Sequence, residues 1–330
     1  MSAETLLILA VALLIDRLVG DPDWLWSRVT HPIVLFGKAI AIFDERLNVA
    51  DLGEGARKVR GVVTIVTLLI ASVVLGIVLG RLFDVLGAIG FVLEAIVVAV
   101  FLAQKSLADH VVRVASGLRN DGLSGGREAV SMIVGRDPNT LDEPAVCRAA
   151  VESLAENFSD GAVAPAFWYA LAGLPGLLAY KMLNTADSMI GHKSPRYLHF
   201  GWASARLDDL ANLPAARLSA LLVAAGAYLR IGAKAASATI GVARRDHGLH
   251  RSPNSGWPEA AMAGALDLQL AGPRIYGGVK VDEPMIHGDG RPVATVEDID
   301  HAVSVFYSAC MVLAVACVVL AVLFLMLGSG

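Results

Sequence analysis

The sequence predicts an all-α integral membrane protein with several transmembrane helices, a helical cytoplasmic layer carrying the polar chemistry, and one re-entrant or broken apolar segment. Three observations lead to that class. The mean hydropathy of +0.61 over 330 residues lies far above that of a soluble globular domain. Two runs, 62–79 and 303–327, contain no charged residue, and each approaches or exceeds the roughly 20 apolar residues that a spanning helix needs. Most of the apolar mass is Ala, Val and Leu, with only 6% aromatic residues, a composition suited to lipid-facing or closely packed helices.

The chain opens with eleven uncharged residues from Thr5 to Ile15, ending at Asp16-Arg17. A first span over 5–19 requires that pair to be drawn into the membrane boundary. Without a basic leader or a small-residue cleavage site, it reads as a retained helix. Gly20, Asp21 and Pro22 mark an abrupt exit, followed by Trp24, Trp26 and His31-Pro32. The pattern over 33–47 is amphipathic, with Lys38, Asp44, Glu45 and Arg46 on its polar side, as for a surface-lying helix. Spans follow at 62–79 and 85–103, joined as a tight hairpin over Arg81–Asp84. Glu94, inside the second of these, is a costly membrane carboxylate: either a functional group, or one that simply hydrogen-bonds a neighbouring helix or faces a wet crevice.

From Gln104 to Asp142 the chain is polar and helical, then loops through Gly122, Gly125-Gly126 and Gly135–Pro138. A helix beginning at Asp142 carries Glu152 and Glu156 out to Asp160. The apolar stretch 161–180 is broken by Pro165, Gly173, Pro175 and Gly176, so a discontinuous helix is expected. Within 210–229 the uncharged core has only twelve residues, short for a span. The last span is 303–327. The polar regions are 20–60, 104–160, 181–209 and 230–302, and the whole chain is read as one membrane-embedded domain. Basic residues set the topology: seven Lys/Arg in 16–60, eleven in 104–217 and eight in 230–302 place all of these in the cytoplasm. That requires 161–180 and 210–229 to cross an even number of times, and the preferred arrangement is that neither crosses fully.

A net charge of −4 gives no reason to expect a nucleic-acid partner. The three cysteines are scattered and form neither a disulfide framework nor a metal motif. Polar residues cluster instead in four places. Asp16, Asp21 and His31 lie beside the first helix. Glu152, Glu156, Asn157, Ser159 and Asp160 share helical spacing. The third group is Asn184, Asp187, Ser188, His192, Lys193, Arg196, Arg206, Asp208 and Asp209. The fourth is HRSPNSGWPEAAMAGAL, from His250 to Leu266, with GPRIYGG at 272–278. Carboxylates with Asn and Ser are hard oxygen ligands suited to magnesium, and Lys193, Arg196, Arg206 and Arg251 are matching anion partners. The plain reading is that paired glutamates on a surface helix are merely solvated, and that Glu259 only favours its helix N-terminus.

ESLAENFSDGAVAPAFWYAL, NTADSMIGHKSPRYLHFGWASARLDDLANLPAARL, HRSPNSGWPEAAMAGAL and GDG at 288–290, with DRLVGDP and HP near the start, resemble the cobinamide-phosphate synthase family of cobalamin biosynthesis over nearly the whole chain. The resemblance implies an integral, multi-pass enzyme of the bacterial inner membrane, and the basic-residue topology puts its active site on the cytoplasmic side. It implies joining of adenosylcobyric acid, a cobalt corrinoid substrate, to an amino alcohol phosphate, (R)-1-amino-2-propanol phosphate or an analogue. ATP is the co-substrate and Mg2+ the cofactor, and association with later membrane enzymes of the pathway is a further expectation. On the family motifs, Glu152, Glu156, Asp160 and Asp187 are assigned to magnesium. Asp208, Asp209, Asp187 and Lys193 are assigned to catalysis. Arg196, Arg206, Arg251, Asn157, Asn184, Asn254, Glu259, His31 and Asp21 are assigned to ATP or substrate. His192 stands where the family pattern has an aromatic, so no acid–base role is carried onto it.

The alternatives are a non-enzymatic membrane signalling component and a corrinoid transporter. A transporter calls for repeated halves with paired broken helices, and a signalling relative has no need of the dense polar set in 152–209. A soluble helical enzyme is excluded by the uncharged runs.

Overall fold

A computed structural model of the chain describes residues 2–49, 51–135, 137–276, 279–281 and 283–328, with backbone alone for 274–281 and 328. In chain order the helices are α1 (Ala3–Leu18), α2 (Asp23–Trp26), α3 (Pro32–Leu47), α4 (Glu54–Leu86), α5 (Ala88–Phe101), α6 (Gln104–Ser131), α7 (Glu143–Phe158), α8 (Ala164–Ile190), α9 (Trp202–Arg230), α10 (Ala233–Asp246), α11 (Gly256–Leu266) and α12 (Val296–Gly328). Four short strands, β1 (Leu270–Ala271), β2 (Arg274–Tyr276), β3 (Val279–Val281) and β4 (Met285–Ile286), interrupt the helices. They form two antiparallel pairs, β1 with β4 and β2 with β3. The all-α class is borne out, although the polar region 230–302 contains this small β excursion.

Among the described residues, five helical stretches are long and apolar enough to cross a membrane: Glu54–Leu86, Ala88–Ser131, Glu143–Ile190, Trp202–Arg230 and Val296–Leu327. The protein is thus of multi-pass membrane character. Two helices differ in length from the spans expected for them. α1 has 16 residues, about 24 Å at 1.5 Å per residue, and is not among the five. α9, by contrast, has 29 residues and passes through Pro214 without a break. It is therefore longer than the uncharged core within 210–229 and, by length and composition, apolar enough to cross a membrane.

The chain divides into two compact units: residues 1–102, 164–212 and 317–330, and residues 103–163 and 213–316. In the first, α4 packs along α8, and α1 along α5. Its core includes Leu6, Leu9 and Leu13 of α1, Ile65 of α4, Val98 of α5 and Tyr169 and Leu177 of α8, all essentially solvent-free. The Tyr169 hydroxyl donates to Glu94 Oε1 at 2.7 Å, so the membrane carboxylate has the neighbouring-helix partner that was one of its readings. In the second unit, α10 packs on α11 and α6 on α7, and Phe158 meets Phe306 edge-on at 5.3 Å.

Three helix reversals use one device. Gly87, Gly122 and Gly173 have φ of 55°, 63° and 63° with ψ of −125°, −153° and −154°, a region open essentially to glycine alone. Each is followed three residues later by another glycine: GAIG, GLSG and GLPG. A Cβ at Gly90, Gly125 or Gly176 would collide with the backbone of Phe83, Gly117 or Trp168 respectively. The first glycine turns the chain and the second lets the returning helix close on the outgoing one. The hairpin expected over Arg81–Asp84 therefore turns at Gly87, because both charged residues remain helical. The loop expected at Gly122–Gly126 is a corner inside a helical pair, and the break expected in 161–180 is at Gly173.

Candidate functional site

In the first unit the third polar cluster is assembled around Asp208. This carboxylate is 7% exposed. Asn212 Nδ2 donates to Oδ2 at 2.9 Å and Asn184 Nδ2 to Oδ1 at 3.4 Å. Tyr180 hydroxyl in turn donates to Asn212 Oδ1 at 2.9 Å, which fixes the amide with its NH2 toward Asp208. Asp187 and Asp209 are close enough to repel it. Among the described residues no cation forms an ion pair with Asp208. One helical turn earlier, the buried hydroxyl of Ser204 has no hydrogen-bond partner among the described residues. A buried carboxylate with two like charges nearby, two amides and an unsatisfied hydroxyl is a hard oxygen set unbalanced in charge.

The expected anion-binding cations divide into two kinds. Lys193 and Arg206 are exposed and make no ion pair among the described residues. Arg196 Nη2 instead donates to Asp44 Oδ2 at 2.7 Å, which raises the affinity of the guanidinium for its proton. Arg251 Nε, in the second unit, lies 3.7 Å from Glu283 Oε1. Asp21 and His31 do meet, with Oδ1 3.6 Å from Nε2. His31 Nδ1 accepts from the Ile33 amide at 3.2 Å, capping α3, and its ring stands edge-on to Trp26.

In the second unit Glu152 and Glu156 each have a partner of their own. The buried Glu152 accepts from the Ala271 amide at 2.7 Å, and Glu156 from the Ser255 hydroxyl at 2.8 Å. Asn157 Nδ2 donates back to the Ser153 carbonyl at 2.9 Å. After Phe158 the chain makes a π-helical turn, Ser159–Val163, which changes the helical phase at Asp160; such turns are frequent at functional sites. Among the described residues no three His, Cys, Asp or Glu side chains stand close enough to form a metal-ligand group.

The His250 motif folds over α11. His250 Nδ1 accepts from the Ser252 amide at 3.0 Å, so its proton sits on Nε2, 3.5 Å from Glu259 Oε1, with both side chains buried. The amides of Asn254 and Ser255 donate to Ser252 Oγ. Beside this lies a set that the sequence reading passed over. Arg245 grips Asp246 through Nε at 2.7 Å and Nη2 at 2.9 Å, and the His287 amide donates to the same carboxylate at 2.8 Å. His287 Nε2 reaches Asp267 at 3.0 Å, and Asp289 of the GDG motif faces Arg245. The only sequence signal for it was the short GDG.

Residues 9–306 match the family described as CobD/Cbib protein. The chain belongs to that family. Among its CobD/Cbib relatives is a "Cobalamin biosynthesis protein CobD" of Sinorhizobium fredii, 76% identical over 327 residues, 99% of this chain and 100% of the relative. A protein of the same name from Brucella suis is 52% identical over 92% of this chain and 93% of its own length. That from Rhodobacter capsulatus is 47% identical over 86% and 88%. No solved structure matches the chain. The cobinamide-phosphate synthase resemblance is thereby upheld at the level of the family.

Proposed function

We propose that this protein joins adenosylcobyric acid to an amino alcohol phosphate, (R)-1-amino-2-propanol phosphate or a close analogue, using ATP, to give adenosylcobinamide phosphate. What carries the reading is family membership over nearly the whole chain. The oxygen-rich set around Asp208 supports it. A propionate is a poor acyl donor at neutral pH and has to be activated first. In this scheme a propionate oxygen attacks the γ-phosphorus of ATP, releasing ADP and leaving an acyl phosphate. The amine nitrogen then attacks the acyl carbon, phosphate departs, and a base takes the ammonium proton.

The residues fit a hard divalent cation on the Asp208 side. Asp208 and Asp187, with Asn184 and the Ser204 hydroxyl, would hold magnesium, which needs only one or two carboxylates besides phosphates and water. Bound there, magnesium would neutralise phosphate charge. Lys193 and Arg206 hold the phosphate-bearing substrates, and Asp209 accepts the amine proton. Asn157, Asn254 and Glu259 orient substrate in the second unit. The enzyme is proposed to lie in the bacterial inner membrane with its chemistry facing the cytoplasm, the side to which the positive-inside rule assigns regions rich in Lys and Arg.

The test is the full-length protein in detergent with adenosylcobyric acid, the amino alcohol phosphate, ATP and magnesium. An amide product formed with stoichiometric phosphate release is expected. The absence of both product and phosphate release would rule the reaction out, and corrinoid uptake into vesicles without product would favour a transporter.

A further inference from the structure

The segment Gly191–Gly201 between α8 and α9 is a closed loop. At its neck the backbones of Ile190 and Gly201 come so close that a Cβ at Gly201 would overlap the Ile190 carbonyl. Beside the neck the loop is seated on α4, where Gly61 leaves room for the Phe200 carbonyl, and Phe200 itself is solvent-free. Compact loops whose ends meet are frequently functional, and groups on a loop act reproducibly only when the scaffold fixes it.

The fixing is done by residues outside every motif. Asp44 near the end of α3 is buried; it accepts from Asn48 Nδ2 and Arg196 Nη2, both at 2.7 Å, and from the Tyr197 hydroxyl at 3.3 Å. The same turn is gripped through its backbone, since Asn48 Nδ2 and the Arg57 guanidinium both donate to the Arg196 carbonyl. Arg57 Nε also holds Asn48 Oδ1 at 3.0 Å. Charge-assisted bonds around a buried carboxylate are the strong kind. The clamp leaves out His192 and Lys193, which are exposed. Asp187 Oδ1 lies against Gly191 at the loop's neck.

We infer that Asp44, with Asn48 and Arg57, is a positioning residue: it holds the 191–201 loop so that Lys193 meets the phosphate of a phosphate-bearing substrate beside Asp187. The inference rests on the phosphate chemistry proposed above. Lysine is a flexible point charge, so its grip on phosphate depends on where the backbone presents it. A loop fixed before binding loses less freedom on binding.

The test compares wild type, Asp44→Asn, Lys193→Ala and the double variant, each as the full chain in detergent. Asp44→Asn keeps the shape and an acceptor for Tyr197 but loses the charge facing Arg196. Hydrogen exchange over residues 192–199, ATP titration and the KM for ATP and for the amino alcohol phosphate are measured. Asp44→Asn is expected to speed exchange in the loop and weaken one phosphate-bearing ligand about tenfold, with kcat within about twofold. Lys193→Ala weakens the same ligand, and the double variant is no worse than Lys193→Ala. Unchanged exchange, additive effects, or a lower melting temperature with unaltered affinity would each overturn the inference. Failure of the amide-forming reaction shows separately, as a wild-type protein that makes no product; loop exchange and ATP titration judge the clamp without that assay.

Discussion

Asp208 and Asp246 are both buried aspartates, 7% and 5% exposed, and each sits at the polar centre of its own compact unit. Their surroundings differ in kind. Asp246 has a bidentate arginine and a backbone amide; its charge is answered within the fold. Asp208 has two side-chain amides, one of them at 3.4 Å, and two like charges nearby. Burial alone therefore does not mark a functional carboxylate. What separates the two is whether the described residues supply a counter-charge: Asp246 has Arg245, and no described cation pairs with Asp208.

The contrast can be broken most directly by Asp208→Asn. The amide keeps the shape and removes the repelling charge. Activity should fall about 100- to 1,000-fold, while the melting temperature in detergent holds or rises. Activity within tenfold of wild type, or a marked loss of stability, would put Asp208 in the same class as Asp246. The reciprocal change, Asp246→Asn, should cost about 1–3 kcal/mol of stability, since it weakens the acceptors for Arg245 and the His287 amide. KM values should not move; thermal melts and steady-state kinetics on one preparation separate these effects. The smallest effect is in pH. Arg245 holds the Asp246 carboxyl below the usual carboxylate range. Its contribution is complete above the unfolded value of about 4 and is lost as pH falls through the lower folded value. Melting temperatures taken from pH 6 to pH 3 should thus decline more steeply below pH 4 in wild type than in Asp246→Asn, and parallel curves would refute the assignment.

The long uncharged runs made the membrane class legible, because hydropathy over about 20 residues is a property of composition. Helix ends were less legible. α4 and α9 extend through charged residues that a count of apolar positions treats as boundaries, such as Arg81, Asp84, Arg206 and Asp208. The polar cluster from Asn184 to Asp209 was visible as a group, and so were its candidates Asp208 and Lys193. Arg196 was not separable from Lys193 by sequence, since a cation's partner can lie anywhere; here it is Asp44, on a helix that read as a plain amphipathic surface element. Glu152 and Glu156 suggested a shared cation by spacing alone, yet spacing carries no information about Ala271 and Ser255. The pairing of Asp246 with Arg245 and His287 was missed for the same reason, and nothing but the GDG hinted at it.

The three glycine corners act as phase registers. A conventional loop can gain or lose a residue and let slack absorb the change. A corner of one residue has no slack: each residue inserted between the two glycines turns the following helix by about 100° and carries its apolar stripe away from the neighbour it was built to meet. At residues 87–90, 122–125 and 173–176 only the two residues between the glycines can vary in side chain, and the length cannot change.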